Sequence, residues 1–356
     1  MDFTFSEDQL LFQESVREFL VNEVTPEALR ALWEQDTGRS DALWAQLTEL
    51  GLCGMTIAEE HGGLGMNELD FVLLAQECGY VALPEPLVHN ALVAAPLLAV
   101  LPELGNEWLP KIAAGEARVQ VALGDAALVE DAHVAQLLIL EQGGSLYAVD
   151  PSSCELTANE SVDPSRKLFG VKWQPDTAVK LAEGSEAANL IAATANRGAL
   201  SLAAQSLGLS QRMIDLAVAY TADRQQFGKP IGSFQAVKHM MANIAYKLEY
   251  AKAPVHRAAY ELAQQPVDAQ RASDDRINAI VSHAKLAACE AAQIAAKNTI
   301  QAHGAMGYTW QVDLHIYMKR AWAYNNSWGD AAEHKQRVGQ FVLADSAAIG
   351  AGNTFG

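Results

Sequence analysis

The chain has 356 residues, half of them hydrophobic and 19% charged, the make-up of a soluble globular protein with two or three domains. With 25 Lys plus Arg against 43 Asp plus Glu, the formal net charge of -18 opposes extended contact with a phosphate polymer or an anionic membrane. Neither nucleic acid nor a membrane is expected as a partner.

Ser6 followed by Gln9 matches a capping box, and Leu10, Leu11, Val16, Phe19 and Leu20 continue it as an amphipathic helix that Pro26 ends or interrupts. A second helix is expected from Asp41 to Leu50. The turn-rich Glu59-Glu60-His61-Gly62-Gly63-Leu64-Gly65 then reads as a loop. Asn67 or Asp70 is positioned to cap a helix through Tyr80; Pro84, Pro86 and Pro96 bracket a further one, ahead of Trp108–Glu116. Residues 1–118 are thus predicted to form an all-α domain. The opening residues lack the basic start of an export signal and the apolar run near Leu92–Leu101 is too short to span a bilayer, so a cytoplasmic location is expected.

Texture changes at Val119-Gln120-Val121-Ala122-Leu123, His133–Leu140 and Ser145–Val149, short β-rich runs separated by Gly, Asp and Pro turns. They predict a small β domain over 119–182. From Glu186 the helical period returns, with segments near 187–223, 234–264, 273–302, 312–324 and 330–347, which predict a helical bundle over 183–356. The fold class expected is mainly α with a small β domain. Cys53, Cys78, Cys154 and Cys289 have no paired spacing and read as reduced thiols, and the nine histidines show no metal-ligand spacing.

The most informative stretch runs from Arg224 to Gln235. The long helix is expected to deliver Arg224 and, three residues on, Phe227 to one side of its end. Gly228 and Pro230 break the helix, which restarts near Ser233. A guanidinium fork suits a pyrophosphate, Phe227 offers a flat apolar face, and Gln235 adds donors and an acceptor. An ordinary helical hairpin with a surface arginine accounts for the same spacing.

Helical domain, small β domain and bundle, in that order, together with the Phe5-Ser6-Glu7-Asp8-Gln9 opening, the 59–65 loop, Leu109-Pro110-Lys111-Ile112 and the Arg224–Gln235 stretch, resemble the acyl-CoA dehydrogenases over nearly the whole chain. Gln301-Ala302-His303-Gly304-Ala305-Met306-Gly307-Tyr308 is similar to the family's second FAD motif, with Ala305 in place of one glycine. The resemblance implies α,β-desaturation of an acyl-CoA by a glutamate base and flavin N5. It also implies FAD shared across a subunit interface, with Arg224, Phe227, Gln235, Gln301 and Gly304 holding the ADP part of a cofactor seated on another chain.

Two family features are missing. An ungapped count from Gln301 places the usual catalytic glutamate on Trp328, whose indole nitrogen is a donor only; the alternative family position falls at Arg197-Gly198-Ala199, which carries no carboxylate. Asp330 and Glu333 are the nearest acids. If Asp330 starts a helix, Glu333 lies about 4.5 Å farther along its axis at roughly 1.5 Å per residue, and their ordinary role is helix capping. The family's flavin-ring loop is also absent, with Val121-Ala122-Leu123 running into Gly124-Asp125-Ala126-Ala127-Leu128 and Glu141-Gln142-Gly143-Gly144-Ser145 forming a bare hairpin turn.

This pattern resembles the non-catalytic subunit of bacterial heteromeric enzymes acting on CoA-activated steroid side chains. The implied assembly is α2β2 with a catalytic sister subunit, and the implied electron acceptor is one such as electron-transfer flavoprotein. Two alternatives stand beside it: a self-sufficient homomeric dehydrogenase using Glu333 or Asp330 as base, and a non-enzymatic scaffold on the same fold. Trp310, Trp322 and Trp328 are candidates for lining an acyl pocket or for filling a core.

Overall fold

The computed structural model describes residues 4–124, 128–270 and 274–344. Helix α1 (Glu7–Glu23) opens on the Ser6–Gln9 capping box, each side chain bonded to the other's backbone amide. Pro26 does more than stop it: with Thr25 as N-cap it starts α2 (Pro26–Trp33), where its missing N–H is one of the orphans of a first turn. Helix α3 (Asp41–Glu49) follows. In α4 (Glu68–Tyr80) Asn67 is the N-cap and Asp70 completes the box, so both candidate residues act together.

The next expectation is corrected. Pro96 does not bracket a helix but sits inside a run of α5 (Leu87–His89), a π turn at Asn90–Ala94 and α6 (Ala95–Leu98). Proline cannot donate to the carbonyl four residues back, so the wider turn precedes it. Helix α7 spans Pro102–Ala113.

Strands β1 (Val119–Ala122), β2 (Val129–Glu130), β3 (Leu137–Gln142), β4 (Ser145–Val149), β5 (Glu155–Asn159), β6 (Leu168–Lys172) and β7 (Val179–Ala182) form two sheets, ordered β1-β3-β4-β7 and β2-β6-β5. The β1–β3 pair is parallel and the others antiparallel. Period-two alternation explains why β3 is apolar on both faces. Leu137 and Ile139 pack with α6 and α7, whereas Leu138 and Leu140 face Phe169 and Val171 of the second sheet. Residues 133–136, expected in β3, precede it as turn and connector.

Helix α8 (Gly184–Asp223) is about 60 Å long at 1.5 Å per residue. Its middle crosses α4 at glycine contacts: a Cβ on Gly79 would meet the Gln205 carbonyl oxygen at 2.0 Å, and one on Gly208 the Gln76 carbonyl oxygen at 1.9 Å. Strands β8 (Gln225–Gln226) and β9 (Lys229–Pro230) form a small hairpin before α9 (Gln235–Ala263). Helices α10 (Asp275–His303), α11 (Leu314–Asn325) and α12 (Ala331–Val342) complete the bundle, with most contacts among α8, α9 and α10. Among the described residues no helix is long and apolar enough to cross a membrane. Cys53, Cys78 and Cys289 are buried and unpaired.

Candidate functional site

A cavity of about 660 Å³ opens where the end of β1 and the edge of β6 face Ala195 of α8, the end of α11 and the start of α12. Trp328 stands in its wall, in the short connection between α11 and α12. The backbone there is left-handed at both Trp328 (φ 56°) and Gly329 (φ 93°). A Cβ on Gly329 would meet His334 Nε2 at 2.7 Å, so glycine is required for space as well as for φ. His334 Nε2 lies 3.0 Å from the Trp328 carbonyl oxygen, which can only accept; Nδ1 therefore accepts from the Ser282 hydroxyl at 3.0 Å. Burial holds this imidazole down to about 4, so it stays neutral.

The indole itself covers Gly198. An ideal Cβ on Gly198 would sit 2.1 Å from Trp328 Cδ2. The two places that family resemblance offers for a catalytic glutamate thus touch, Trp328 lying over Gly198 of the Arg197–Ala199 segment. The neighbouring Arg197 is spent on Glu68 (2.7 Å) and the Gln265 carbonyl (3.0 Å).

The acids in and beside the cavity, Glu130, Glu333 and Asp330, have partners. Burial works against the charge of Glu130, but the Arg166 guanidinium, 3.0 Å away, and Arg320 and Arg39 behind it hold its carboxyl down to about 2. Asp330 accepts from the Glu333 and Ala332 amides, which lower its pKa, while Glu333 Oε2 accepts from the Asp330 amide at 2.8 Å. This is a capping box of α12. His89 Nε2 accepts from the Val121 amide at 3.0 Å, and burial pushes the ring down to about 4. The hydroxyl of Ser327 is given to the Ala323 carbonyl. Glu130, Glu333, His89 and His334 in the lining thus each have a hydrogen-bond or ion-pair partner already.

Behind the cavity a buried network joins the three parts of the chain. Arg320 pairs with Asp163 and donates to the Leu83 carbonyl and the Tyr324 hydroxyl; Tyr324 donates to Gln205, and Arg39 pairs with Asp131. Burial opposes the Arg320 charge, yet Asp163 raises its pKa well above the usual value.

The five residues assigned to a cofactor lie outside the cavity, on the surface. One expectation is corrected: Arg224 and Phe227 do not project from a helix. Helix α8 stops at Asp223, Arg224 is extended (φ -68°, ψ 119°), and Phe227-Gly228 form the two-residue turn of the β8–β9 hairpin. Both turn residues have positive φ, 56° and 78°, the signature of a type I′ turn whose twist matches the strands. Phenylalanine at such a φ is strained and 91% exposed. Its ring meets Phe234 edge-on at 6.1 Å.

These surface groups fit the phosphate end of a dinucleotide. The Arg224 guanidinium has no partner among the described residues. The first turn of α9, where Gln235 lies, has no side-chain cap. Gly304 has φ 59° and ψ -139°, with nothing within 4 Å of where a Cβ would be. Stacking of Tyr220 on His303 (4.3 Å) ties this turn to the end of α8, and Gln301 is exposed beside it. Within the cavity the Ser327 hydroxyl is bonded to a backbone carbonyl; Asp125, Ala126 and Ala127 lie outside the described residues.

Of the three tryptophans considered for an acyl pocket, only Trp328 lines the cavity; Trp310 and Trp322 are 66% and 42% exposed. Sequence reasoning missed His89, Gln120, Glu130, Arg166 and Arg337 in the lining. Gln120 alone carried a signal, as a lone amide between two valines of a buried strand. Among the described residues no group of three His, Cys, Asp or Glu is placed to hold a metal ion.

Residues 6–116 match the acyl-CoA dehydrogenase N-terminal domain, and residues 188–343 match the acyl-CoA dehydrogenase C-terminal domain. Acyl-CoA dehydrogenase IpdE2 of Mycobacterium tuberculosis is 32% identical over 316 residues, 88% of this chain and 91% of that protein. Among solved structures, the ChsE4-ChsE5 complex from Mycobacterium tuberculosis superposes with a TM-score of 0.83 at 23% identity, covering 98% of this chain and 100% of the other. The Tcur3481-Tcur3483 steroid ACAD gives 0.81 at 21% identity, covering 96% and 99%.

Proposed function

The chain belongs to the acyl-CoA dehydrogenase family, and on that premise we propose that it is the non-catalytic subunit of a heteromeric FAD-dependent acyl-CoA dehydrogenase. Its sister subunit supplies the glutamate and the berth for the flavin ring, in an α2β2 assembly that passes electrons to an acceptor such as electron-transfer flavoprotein. The observation that carries this reading is a division within the chain. Groups suited to a pyrophosphate lie free on the surface, while the cavity at the family's catalytic position holds an indole and only committed acids.

In this reading Arg224 engages the pyrophosphate as a planar fork, Phe227 flanks it, Gln235 and Gln301 add hydrogen bonds, and Gly304 lets the backbone approach. FAD supplies the hydride acceptor. The acyl group is a CoA-activated steroid side chain, in keeping with the name of the Tcur3481-Tcur3483 steroid ACAD.

Co-expression with the sister subunit, followed by flavin-to-protein ratios, tests the proposal. The complex should hold flavin, the chain alone should not, and Arg224→Ala should strip flavin from the complex while leaving the subunits together. Stoichiometric FAD and acyl-CoA turnover by the isolated chain would overturn it.

A further inference from the structure

The cavity beside Trp328 is too large and too specifically lined to be a mere scar. An apolar strip runs along its walls, with Val121, Leu123, Leu128 and Leu168 on the β side and Ala195 on α8, beside polar and charged residues. Its volume of about 660 Å³ falls within the range of small-molecule sites. Two of the polar groups bear on what could fill it. Gln120 is only 2% exposed, yet its Nε2 has no hydrogen-bond partner among the described residues. A buried amide donor left unpaired is uncommon enough to call for an occupant.

The second group is Arg337. Its guanidinium donates to the side-chain oxygens of Asn196 and Asn278, both neutral. The other charges that line the cavity are accounted for: Glu130 pairs with Arg166, and Glu333, one turn before Arg337, caps α12. Among the described residues no carboxylate lies at hydrogen-bonding distance of the half-buried Arg337 guanidinium; burial lowers its pKa, and the charge of Glu333 one turn away opposes that shift. A chamber with an apolar strip, a guanidinium hydrogen-bonded only to neutral amides and one orphaned amide matches a ligand with an apolar body and a single anionic end.

We propose that this cavity binds a free amphipathic carboxylic acid, its carboxylate on Arg337, its apolar body along Val121, Leu168 and Trp328, and a carboxylate or hydroxyl oxygen within reach of Gln120. The inference is independent of the heteromer reading, because it concerns a chamber within the one chain.

Calorimetric titration of the full-length chain with decanoate, decan-1-ol and decanoyl-CoA tests it. Decanoate should bind with one site per chain, at least ten-fold tighter than decanol and tighter than decanoyl-CoA. Arg337→Gln should weaken decanoate at least ten-fold without changing decanol, and Gln120→Leu should weaken it several-fold. Ala195→Phe, which fills the chamber and leaves Arg337 in place, should abolish both ligands in a chain that keeps its circular dichroism and melting transition. Equal affinity for acid and alcohol, tighter binding of decanoyl-CoA, no heat up to millimolar decanoate, or unchanged affinity in a folded Arg337→Gln or Ala195→Phe chain would each overturn it.

Discussion

Trp328 rests on Gly198, and the contact is so close that any side chain at 198 would collide with the indole: the nearest ring carbon lies 2.1 Å from where a Cβ would be. Gly198→Ala should destabilise the chain by about 1–3 kcal/mol, the usual range for overpacking. In a Trp328→Ala background the same substitution should cost much less, and a double-mutant cycle by chemical denaturation measures the coupling. Additive effects would show that the indole moves freely.

The capping box at the start of α12 makes a second prediction. Asp330→Ala removes the acceptor of two amides and should lower the melting temperature by about 1–3 °C. Partnered turnover should stay within two-fold for Asp330→Ala and Glu333→Gln alike. Loss of a general base would cost about 100-fold or more, so steady-state kinetics separates the two roles cleanly.

His89 gives a pH-dependent effect with a definite sign. Burial lowers it from the ordinary 6.5 to about 4, so between those values the unfolded chain binds a proton that the folded chain refuses. Its contribution to stability is full above pH 6.5 and declines as pH falls through the window. His89→Gln keeps an acceptor for the Val121 amide and removes the titration. The pH slope of the denaturation free energy near pH 5 should drop by up to about 1.4 kcal/mol per pH unit, the equivalent of one proton.

The Arg320–Asp163 pair predicts an asymmetry. Both are buried, so Arg320→Met alone strands a carboxylate and should cost about 3–5 kcal/mol, whereas Arg320→Met with Asp163→Leu should recover much of that loss. Denaturation midpoints of the single and double variants decide it.

Phe227 separates folding from cofactor binding. Its positive φ favours asparagine, so Phe227→Asn should leave stability unchanged or raise it by about 1 kcal/mol. Flavin retained by the partnered complex should nevertheless fall. Unchanged flavin content in a well-folded complex would remove Phe227 from the cofactor surface.

Much of this architecture is written in local chemistry. The Ser6–Gln9 box, a cap at Asn67 or Asp70, the apolar run of β3 and the long apolar period of α8 all act between residues a few positions apart, and each was legible without coordinates. The motifs that carry family membership are equally contiguous. The sequence alone therefore determined the order of helical and β-rich segments and the absence of a carboxylate from the position that the resemblance gives the catalytic glutamate.

Tertiary structure decided the rest. The left-handed turn that lifts Phe227 off the helix axis depends on pairing of Gln225 with Pro230, and the closeness of Trp328 to Gly198 depends on how the α11–α12 connection meets α8. The charge state of Glu130 is set by Arg166, Arg320 and Arg39, which arrive from three separate segments. Burial and Coulomb energy depend on distances through space, and only the packed fold brings these groups together.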